Sequence, residues 1–200
     1  MNSFFDATQA EGCVVLRLQS ADGTNRLTCA CVQALTEYLS GLACSPPPLA
    51  LVITGNHKFF SAGADLKEIS ELNGPAAVRF SMMGQHLMQQ LSEFPAPVYA
   101  AVSGYCMGGG LDLALACHHR ISSPHAVFGH RGAALGLVTG WGGTQRLPRL
   151  LGKGRALEMF VAAMKIDAGR ALRIGLVDAI ADDPVAESLR RIMRGRERLG

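Results

Sequence analysis

Residues 103–112 read Ser-Gly-Tyr-Cys-Met-Gly-Gly-Gly-Leu-Asp, with three successive glycines between a strand-like run and a segment of good helix formers. Each glycine near a helix start costs roughly 1 kcal/mol relative to alanine, so something should compensate for the run Gly108 to Gly110. One explanation is the close approach of a ligand to amides at the positive end of the helix dipole. The other is tight packing of the helix on a sheet.

The segments around this run alternate between strands and helices. Apolar, β-branched runs predict strands at 13–18, 49–54 and 98–102, and the second of these is typical of a strand buried on both faces of a parallel sheet. Further short extended pieces are predicted at 120–122 and 126–128. Apolar spacings of three and four predict helices at 32–42, 74–94, 111–117, 143–150, 155–164, 168–174 and 185–194. The pattern indicates an α/β fold in βαβα order, without an internal repeat, that binds its ligand at the carboxyl ends of the strands.

Composition narrows the class of protein. Two hundred residues, 48% hydrophobic and 18% charged, predict a single domain over 1–200, with an arginine-rich helical tail at about 185–200. The net charge of +3 comes partly from that tail, which argues against a nucleic-acid partner but permits a small anionic ligand.

The cysteines and the N-terminus give further expectations. Six cysteines show no metal spacing, and each lies in or beside an apolar stretch, so we interpret all of them as buried hydrophobes. No leader-like segment and no run of roughly 18 apolar residues is present, which predicts a cytoplasmic protein without a membrane partner.

A second loop, Phe60 to Leu66, follows the strand at 49–54 and starts a short predicted helix. Its small residues leave the main chain open, so a backbone amide there can donate to an anionic oxygen. The alternative is an ordinary strand-to-helix turn in which Asp65 stabilises the helix start. Together the two glycine-rich loops are more specific, because two amides converging on one oxygen form an oxyanion hole.

These residues resemble the crotonase superfamily of enoyl-CoA hydratases and isomerases, over about residues 10–195. The resemblance rests on the segments FSAGADLKE (60–68), AAVSGYCMGGGLD (100–112), FG (128–129), Gly136 with GGTQRL (142–147), and GLVD (175–178). It implies a ClpP/crotonase-like spiral of ββα units and coenzyme A bound in a bent form as part of an acyl-CoA substrate. No other cofactor and no metal are implied.

Site residues carry over from the resemblance position by position. The two oxyanion amides belong to Ala64 and Gly109. Coenzyme A is bordered by Ala62, Asp65, Leu66 and Lys67, although Lys67 is also compatible with a solvated helix position, which is the commoner one for such a residue. The resemblance also implies a homotrimer or a dimer of trimers, and by comparison with the family the C-terminal helical region is short.

The sequence departs from the family where hydratases carry two glutamates around a water. Those positions hold Asp112, just after the glycine run, and Gly132. A glycine cannot exchange protons, and loss of one acid or base typically lowers a rate about 10²- to 10⁴-fold. The neighbours are His130, a candidate acid or base or else a structural hydrogen-bonding residue, and Arg131, a candidate phosphate or carboxylate ligand or else a solvated residue.

Two groups of enzymes within the superfamily resemble the chain at one of these two positions each. Dienoyl-CoA isomerases resemble the chain at Asp112 but use a further carboxylate, which residues 128–148 do not contain. Naphthoate synthases resemble it at Gly132, where the glycine leaves space for an external bicarbonate base.

Two functions follow from the resemblance. The first is an acyl-CoA enzyme that hydrates, dehydrates or isomerises through a thioester enolate, with Asp112 as the proton-transfer group unless it only serves the helix dipole. The second is a catalytically impaired protein that binds acyl-CoA or assists assembly and keeps the pocket.

Overall fold

A computed structural model describes residues 3–10 and 12–197 of the chain. Residues 198–200 of the predicted arginine-rich tail lie outside this range. The elements, in chain order, are β1 Phe5–Ala10, β2 Cys13–Leu18, β3 Arg26–Leu27, α1 Cys29–Ala43, β4 Ala50–Thr54, β5 Phe59–Ser61, β6 Gly63–Ala64, α2 Leu66–Ser70, α3 Gly74–Ser92, β7 Val98–Val102, β8 Tyr105–Met107, α4 Gly109–Ala116, β9 His119–Ser122, β10 Val127–Gly129, a 3₁₀ helix Gly132–Leu135, α5 Gly143–Leu151, α6 Lys153–Val161, β11 Ile166–Asp167, α7 Ala168–Arg173, β12 Ala179–Ile180 and α8 Pro184–Glu197.

A sheet of six strands in the order β1-β2-β4-β7-β9-β12 forms the base of the described structure. Only β1 runs antiparallel to its neighbour, and the remaining pairs are parallel. All five residues of β4 and all five of β7 are buried, as predicted for central strands of a parallel sheet.

A ββα unit repeats three times along the chain. β4, β7 and β9 lie side by side in the large sheet, while the strands that follow them, β5, β8 and β10, lie side by side in a second sheet of order β11-β10-β8-β5. The helices α3, α4 and α5 complete the three units. The spiral of ββα units implied by the resemblance is therefore confirmed.

The two faces of the large sheet pack against different helices. Leu51 and Ile53 of β4 belong to the main core, together with apolar residues of α1, α3 and α4. Val52, with the opposite side-chain direction, packs in a second cluster with Ile192 of α8. This alternation fixes the sheet between two helical layers and leaves the carboxyl ends of the strands at one edge.

Several predictions of local structure were wrong. The order is ββα, not βαβα, because each second strand has only three residues and gives no alternating pattern. The N-terminal strand β1 was also missed, and the helix predicted at 155–164 begins at Lys153 and ends at Val161. Among the cysteines, Cys44 is exposed and Cys29 half-buried, since both lie near helix ends, so only the other four are buried.

Trp141 joins α3 to α4. Its ring is 3% exposed, and its Nε1 donates to the Phe80 carbonyl oxygen at 3.2 Å. A Cβ added at Gly84 of α3 would lie 2.1–2.3 Å from three atoms of the indole. The helix can therefore approach Trp141 only because residue 84 has no side chain.

We predict that Gly84→Ala lowers the free energy of unfolding by about 1–3 kcal/mol, because the steric clash outweighs the gain in helix propensity. The matched control is Gly41→Ala in α1, where a Cβ would meet no atom within 4 Å. That variant should be neutral or gain up to about 1 kcal/mol. Urea denaturation of the two variants measures the difference, and equal stabilities would contradict the packing described for Trp141.

Candidate functional site

The two loops predicted to form an oxyanion hole are in direct contact. A Cβ on Gly63, whose φ is +95°, would lie 2.6 Å from the Met107 carbonyl oxygen and 3.0 Å from the Gly109 nitrogen. A Cβ on Gly109 would lie 3.2 Å from the Ala64 nitrogen. The backbones of the two loops therefore touch where a side chain on either glycine would separate them, and the two predicted amides lie near each other.

The glycine run provides the start of α4. Gly108 has φ 51° and ψ −120°, a conformation outside the helical region, and its N–H donates to the Gly129 carbonyl oxygen at 2.9 Å. Gly109 is the first helical residue, and the N–H groups of a first turn have no carbonyl four residues before them within the helix. Its amide lies at the positive end of the helix dipole.

A cavity of about 500 Å³ opens beside these amides. Ala64 and Gly109 contribute to its wall, and the rest is mainly apolar residues of α2, α3, α6 and the loop before α5. Among the described residues that line it, the ionisable side chains are Asp112, His130 and Arg131. Arg131 is exposed, whereas the other two are buried.

Asp112 lies in the first turn of α4 and is 1% exposed. Thr139 donates a hydrogen bond from its hydroxyl to Asp112 Oδ2. Burial raises the pKa of Asp112 to about 7, although the Thr139 hydrogen bond and the charge of Arg146 act in the opposite direction. The carboxyl group is thus held in place and can exchange a proton near neutral pH.

His130 follows β10 and is also buried, at 3% exposure. Its ring lies 5.1 Å from the Phe160 ring, and its Nε2 lies 3.4 Å from Asp112 Oδ1. Neither of these two atoms makes a hydrogen bond, so the contact is close without being aligned as one. Burial lowers the pKa of His130 to about 4, which favours the neutral imidazole.

Gly132 lies in the 3₁₀ helix that lines the cavity. A Cβ there would be 2.7 Å from the Leu137 carbonyl oxygen, and the Leu137 N–H donates to the Gly132 oxygen at 2.8 Å. A glutamate cannot be placed at this position without moving the backbone. The close contact with the Leu137 carbonyl therefore favours glycine at position 132 and excludes a glutamate there.

The residues predicted to border coenzyme A divide into two groups. Ala62 and Leu66 line the cavity, whereas Asp65 and Lys67 do not belong to its wall. Asp65 Oδ1 accepts hydrogen bonds from the Lys67 and Glu68 amides at 2.8 and 3.1 Å, so it caps α2 as the alternative interpretation proposed. Lys67 is exposed.

No sequence pattern predicts the residues that hold Asp112 from outside its own helix. Thr139 lies in an irregular loop and belongs to no motif. Gly143 lies in the motif at 142–147, and a Cβ there would be 2.1 Å from Asp112 Oδ1 and 3.1 Å from His130 Nε2. The need for a residue without a side chain at position 143 arises only when α5 packs against α4.

Two further observations concern metal binding and membrane-spanning helices. Within residues 3–10 and 12–197, no three His, Cys, Asp or Glu side chains are grouped so that they could hold a metal ion. In the same residues, no helix is both long and apolar enough to cross a membrane.

Comparison with known protein families identifies the family of the chain's relatives. A family model described as enoyl-CoA hydratase/isomerase matches residues 8–196. The solved structure of Pseudomonas aeruginosa DspI superposes with a TM-score of 0.90 at 32% identity, over 96% of this chain and 81% of that one. An enoyl-CoA hydratase from Bacillus anthracis gives a TM-score of 0.89 at 32% identity, over 95% and 76%.

Curated relatives agree with the family match. A probable enoyl-CoA hydratase of Bacillus subtilis is 39% identical over 80% of this chain and 62% of its own length. The short-chain-enoyl-CoA hydratase of Clostridium acetobutylicum is 42% identical over 67% and 52%. The crotonyl-CoA hydratase of Syntrophomonas wolfei is 36% identical over 85% and 66%. The chain thus spans between half and two thirds of the length of these relatives.

The burial of Asp112 predicts a pH-dependent effect on stability. Because its folded pKa is raised from 3.8 to about 7, the stability that the neutral form provides is present at low pH and is lost as pH rises through about 7. Asp112→Asn keeps a neutral side chain and should raise the free energy of unfolding by up to about 4 kcal/mol at pH 8, with a smaller gain at pH 5.

Urea denaturation at the two pH values tests this prediction, with Asp182→Asn at an exposed position as the matched control. An Asn variant that is less stable than the wild type at pH 8 would show that the carboxylate is well stabilised in the fold.

Proposed function

Because the chain belongs to the enoyl-CoA hydratase/isomerase family, we propose that it acts on an acyl-CoA thioester through an enolate held in an oxyanion hole. The main-chain amides of Ala64 and Gly109 donate to the thioester oxygen as negative charge develops on it. The reaction belongs to the class of hydration, dehydration or double-bond isomerisation next to the thioester.

The observation that supports this proposal best is the contact between the two loops at the cavity wall. Gly63 and Gly109 meet at backbone distance, beside a cavity that also contains the buried Asp112. Donors that are fixed before the reaction need no reorganisation when charge develops, and loss of one donor typically lowers kcat about 10²- to 10³-fold. A rigid backbone contact is well suited to this role.

Asp112 is the proposed proton-transfer group. It lies three residues after Gly109 on the same helix, so its carboxyl is fixed relative to the proposed oxyanion amide. A pKa of about 7 keeps both protonation states accessible near neutral pH, which is the condition for efficient acid or base catalysis. Its interpretation as a residue that only serves the helix dipole does not account for burial beside a cavity.

The coenzyme A portion is proposed to pass along the loop 62–67. Ala62 and Leu66 offer the cavity wall, while Asp65 orders the loop as a cap and Lys67 offers a charge outside the cavity. Arg131, exposed at the cavity, is a second cation for a phosphate or an acidic acyl group. No metal or redox group takes part in the proposed reaction.

The assembly, location and extent of the protein also remain proposals. The family resemblance supports a homotrimer or a dimer of trimers. We also propose a cytoplasmic location and a single acyl-CoA-binding domain over 1–200. The alternative of a catalytically impaired binding protein gains no support from the relatives described above, which are named as hydratases.

The proposed reaction predicts turnover of crotonyl-CoA, or of a longer enoyl- or dienoyl-CoA, by the purified protein. Asp112→Asn should lower kcat about 10²- to 10⁴-fold, because the amide cannot exchange a proton, while acyl-CoA binding remains. Spectrophotometric loss or shift of the enoyl absorbance measures the rate, and calorimetry measures binding. Tight binding without turnover of any of these thioesters, with or without bicarbonate, would favour the binding protein instead.

The oxyanion hole predicts that Gly109→Ala lowers kcat about 10²- to 10³-fold. The added methyl would lie 2.6 Å from the Trp141 ring and 3.2 Å from the Ala64 nitrogen, so it must displace one of them. Gly154→Ala in α6, where a Cβ meets no atom within 4 Å, is the matched control and should keep the wild-type rate. Equal kcat values for both variants would rule out a role for the Gly109 amide.

A further inference from the structure

Among the described residues that line the cavity, two side chains can serve as an acid or a base. These are Asp112 and His130, because Arg131 is exposed and Gly132 has no side chain. Reactions that move a proton onto one carbon and off another atom need an acid and a base. If the family chemistry takes place here, both groups must come from this pair or from solvent.

The two side chains are arranged as a pair. Asp112 Oδ1 and His130 Nε2 lie 3.4 Å apart, and neither atom has a hydrogen-bond partner in the structure. The other carboxyl oxygen of Asp112 accepts from Thr139, which leaves Oδ1 as the oxygen available for proton exchange. Two buried polar atoms that face each other without partners are costly for stability, so their retention calls for an explanation.

We propose that His130 is the second acid/base group of the site, working with Asp112 as a pair that holds one proton and replaces the two glutamates of the hydratases. This inference rests on the proposed function and adds a residue to it. His130 acts as the base, and Asp112 acts as the acid.

In water addition, His130 Nε2 takes a proton from water while the water oxygen bonds to the β-carbon. The double-bond electrons move toward the thioester oxygen, where the amides of Ala64 and Gly109 hold the charge. The Asp112 carboxyl then gives its proton to the α-carbon, and the proton on His130 Nε2 returns to Asp112 Oδ1 across the gap of 3.4 Å.

The same pair serves an isomerisation. His130 removes a proton from one carbon, Asp112 gives a proton to another, and the return of the proton between them restores the starting state. No oxidant, metal or further group is consumed in either case. The distance between the two atoms is thus the feature on which the cycle depends.

The environment supports this division of roles. Burial lowers the pKa of His130 to about 4 and raises that of Asp112 to about 7, so between these values the imidazole is neutral and the carboxyl protonated. Groups with oppositely shifted pKa values at one site are the pattern expected of an acid and a base.

Several elements pack against Asp112 and His130, and each places a group beside the pair. The Thr139 hydroxyl, the charge of Arg146 and the Gly143 amide of α5 favour the carboxylate of Asp112. The Cys106 thiol of β8 stays neutral because burial raises its pKa, and the Phe160 ring of α6 covers the imidazole.

The test combines a pH profile of the wild type with substitutions at position 130. The profile of kcat/KM on the enoyl thioester that is turned over should be highest between pH values of about 4 and 7. Above pH 7 it should fall as Asp112 loses its proton.

His130→Gln keeps a hydrogen-bonding side chain of similar size but cannot exchange a proton, so kcat should fall about 10²- to 10⁴-fold with little change in KM. Added imidazole should partly restore His130→Ala.

His86→Gln, at an exposed position on α3, is the matched control and should keep the wild-type rate. If His130→Gln keeps the wild-type kcat and pH profile, His130 is structural and the pair is overturned while the proposed function stands. A wild-type rate that keeps rising above pH 7 also overturns the pair, and this measurement does not depend on the variants folding. Wild-type protein that turns over no thioester overturns the proposed function and the pair together.

Discussion

The structure depends on a backbone contact that excludes side chains. The loop through Gly63 and the start of α4 at Gly109 approach so closely that a Cβ on either residue would meet main-chain atoms of the other loop. Trp141 and Gly84 press α3 against the same region. The glycine run therefore serves both explanations raised by the sequence: it allows close packing, and that packing brings two amides together at a cavity wall.

This packing has a cost for stability. Asp112 and His130 are removed from water, the carboxyl group is held by the Thr139 hydroxyl beside the Gly143 amide, and burial disfavours the charged form of each. Buried atoms without hydrogen bonds, here Asp112 Oδ1 and His130 Nε2, lower the stability of the fold. Their fixed positions are nevertheless useful for proton transfer. The fold tolerates them because the surrounding core of three ββα units is large and well packed.

Local patterns in the sequence predicted the elements that carry strong periodicity. The buried run Ala50–Thr54 and the long stripe of α3 were found, because each signal arises within one element. The short strands β5 and β8 were missed, because three residues carry no pattern and their pairing depends on distant segments, whereas β10 was predicted at 126–128. In the site, the resemblance gave Ala64, Gly109 and Asp112, whereas the contacts of Thr139 and Gly143 with Asp112 arise only when α4 and α5 pack together.

The proposed reaction depends on polarisation of a thioester carbonyl by the amides of Ala64 and Gly109. The most direct measurement is the ¹³C chemical shift of a saturated acyl-CoA labelled at the thioester carbonyl, recorded free and bound to the protein. One amide donor from Ala64 and one from Gly109 at the start of α4 predict a clear downfield shift on binding, which decreases when Gly109 carries a methyl group. A bound ligand whose carbonyl resonance stays at its free position would contradict the oxyanion hole and, with it, the central claim.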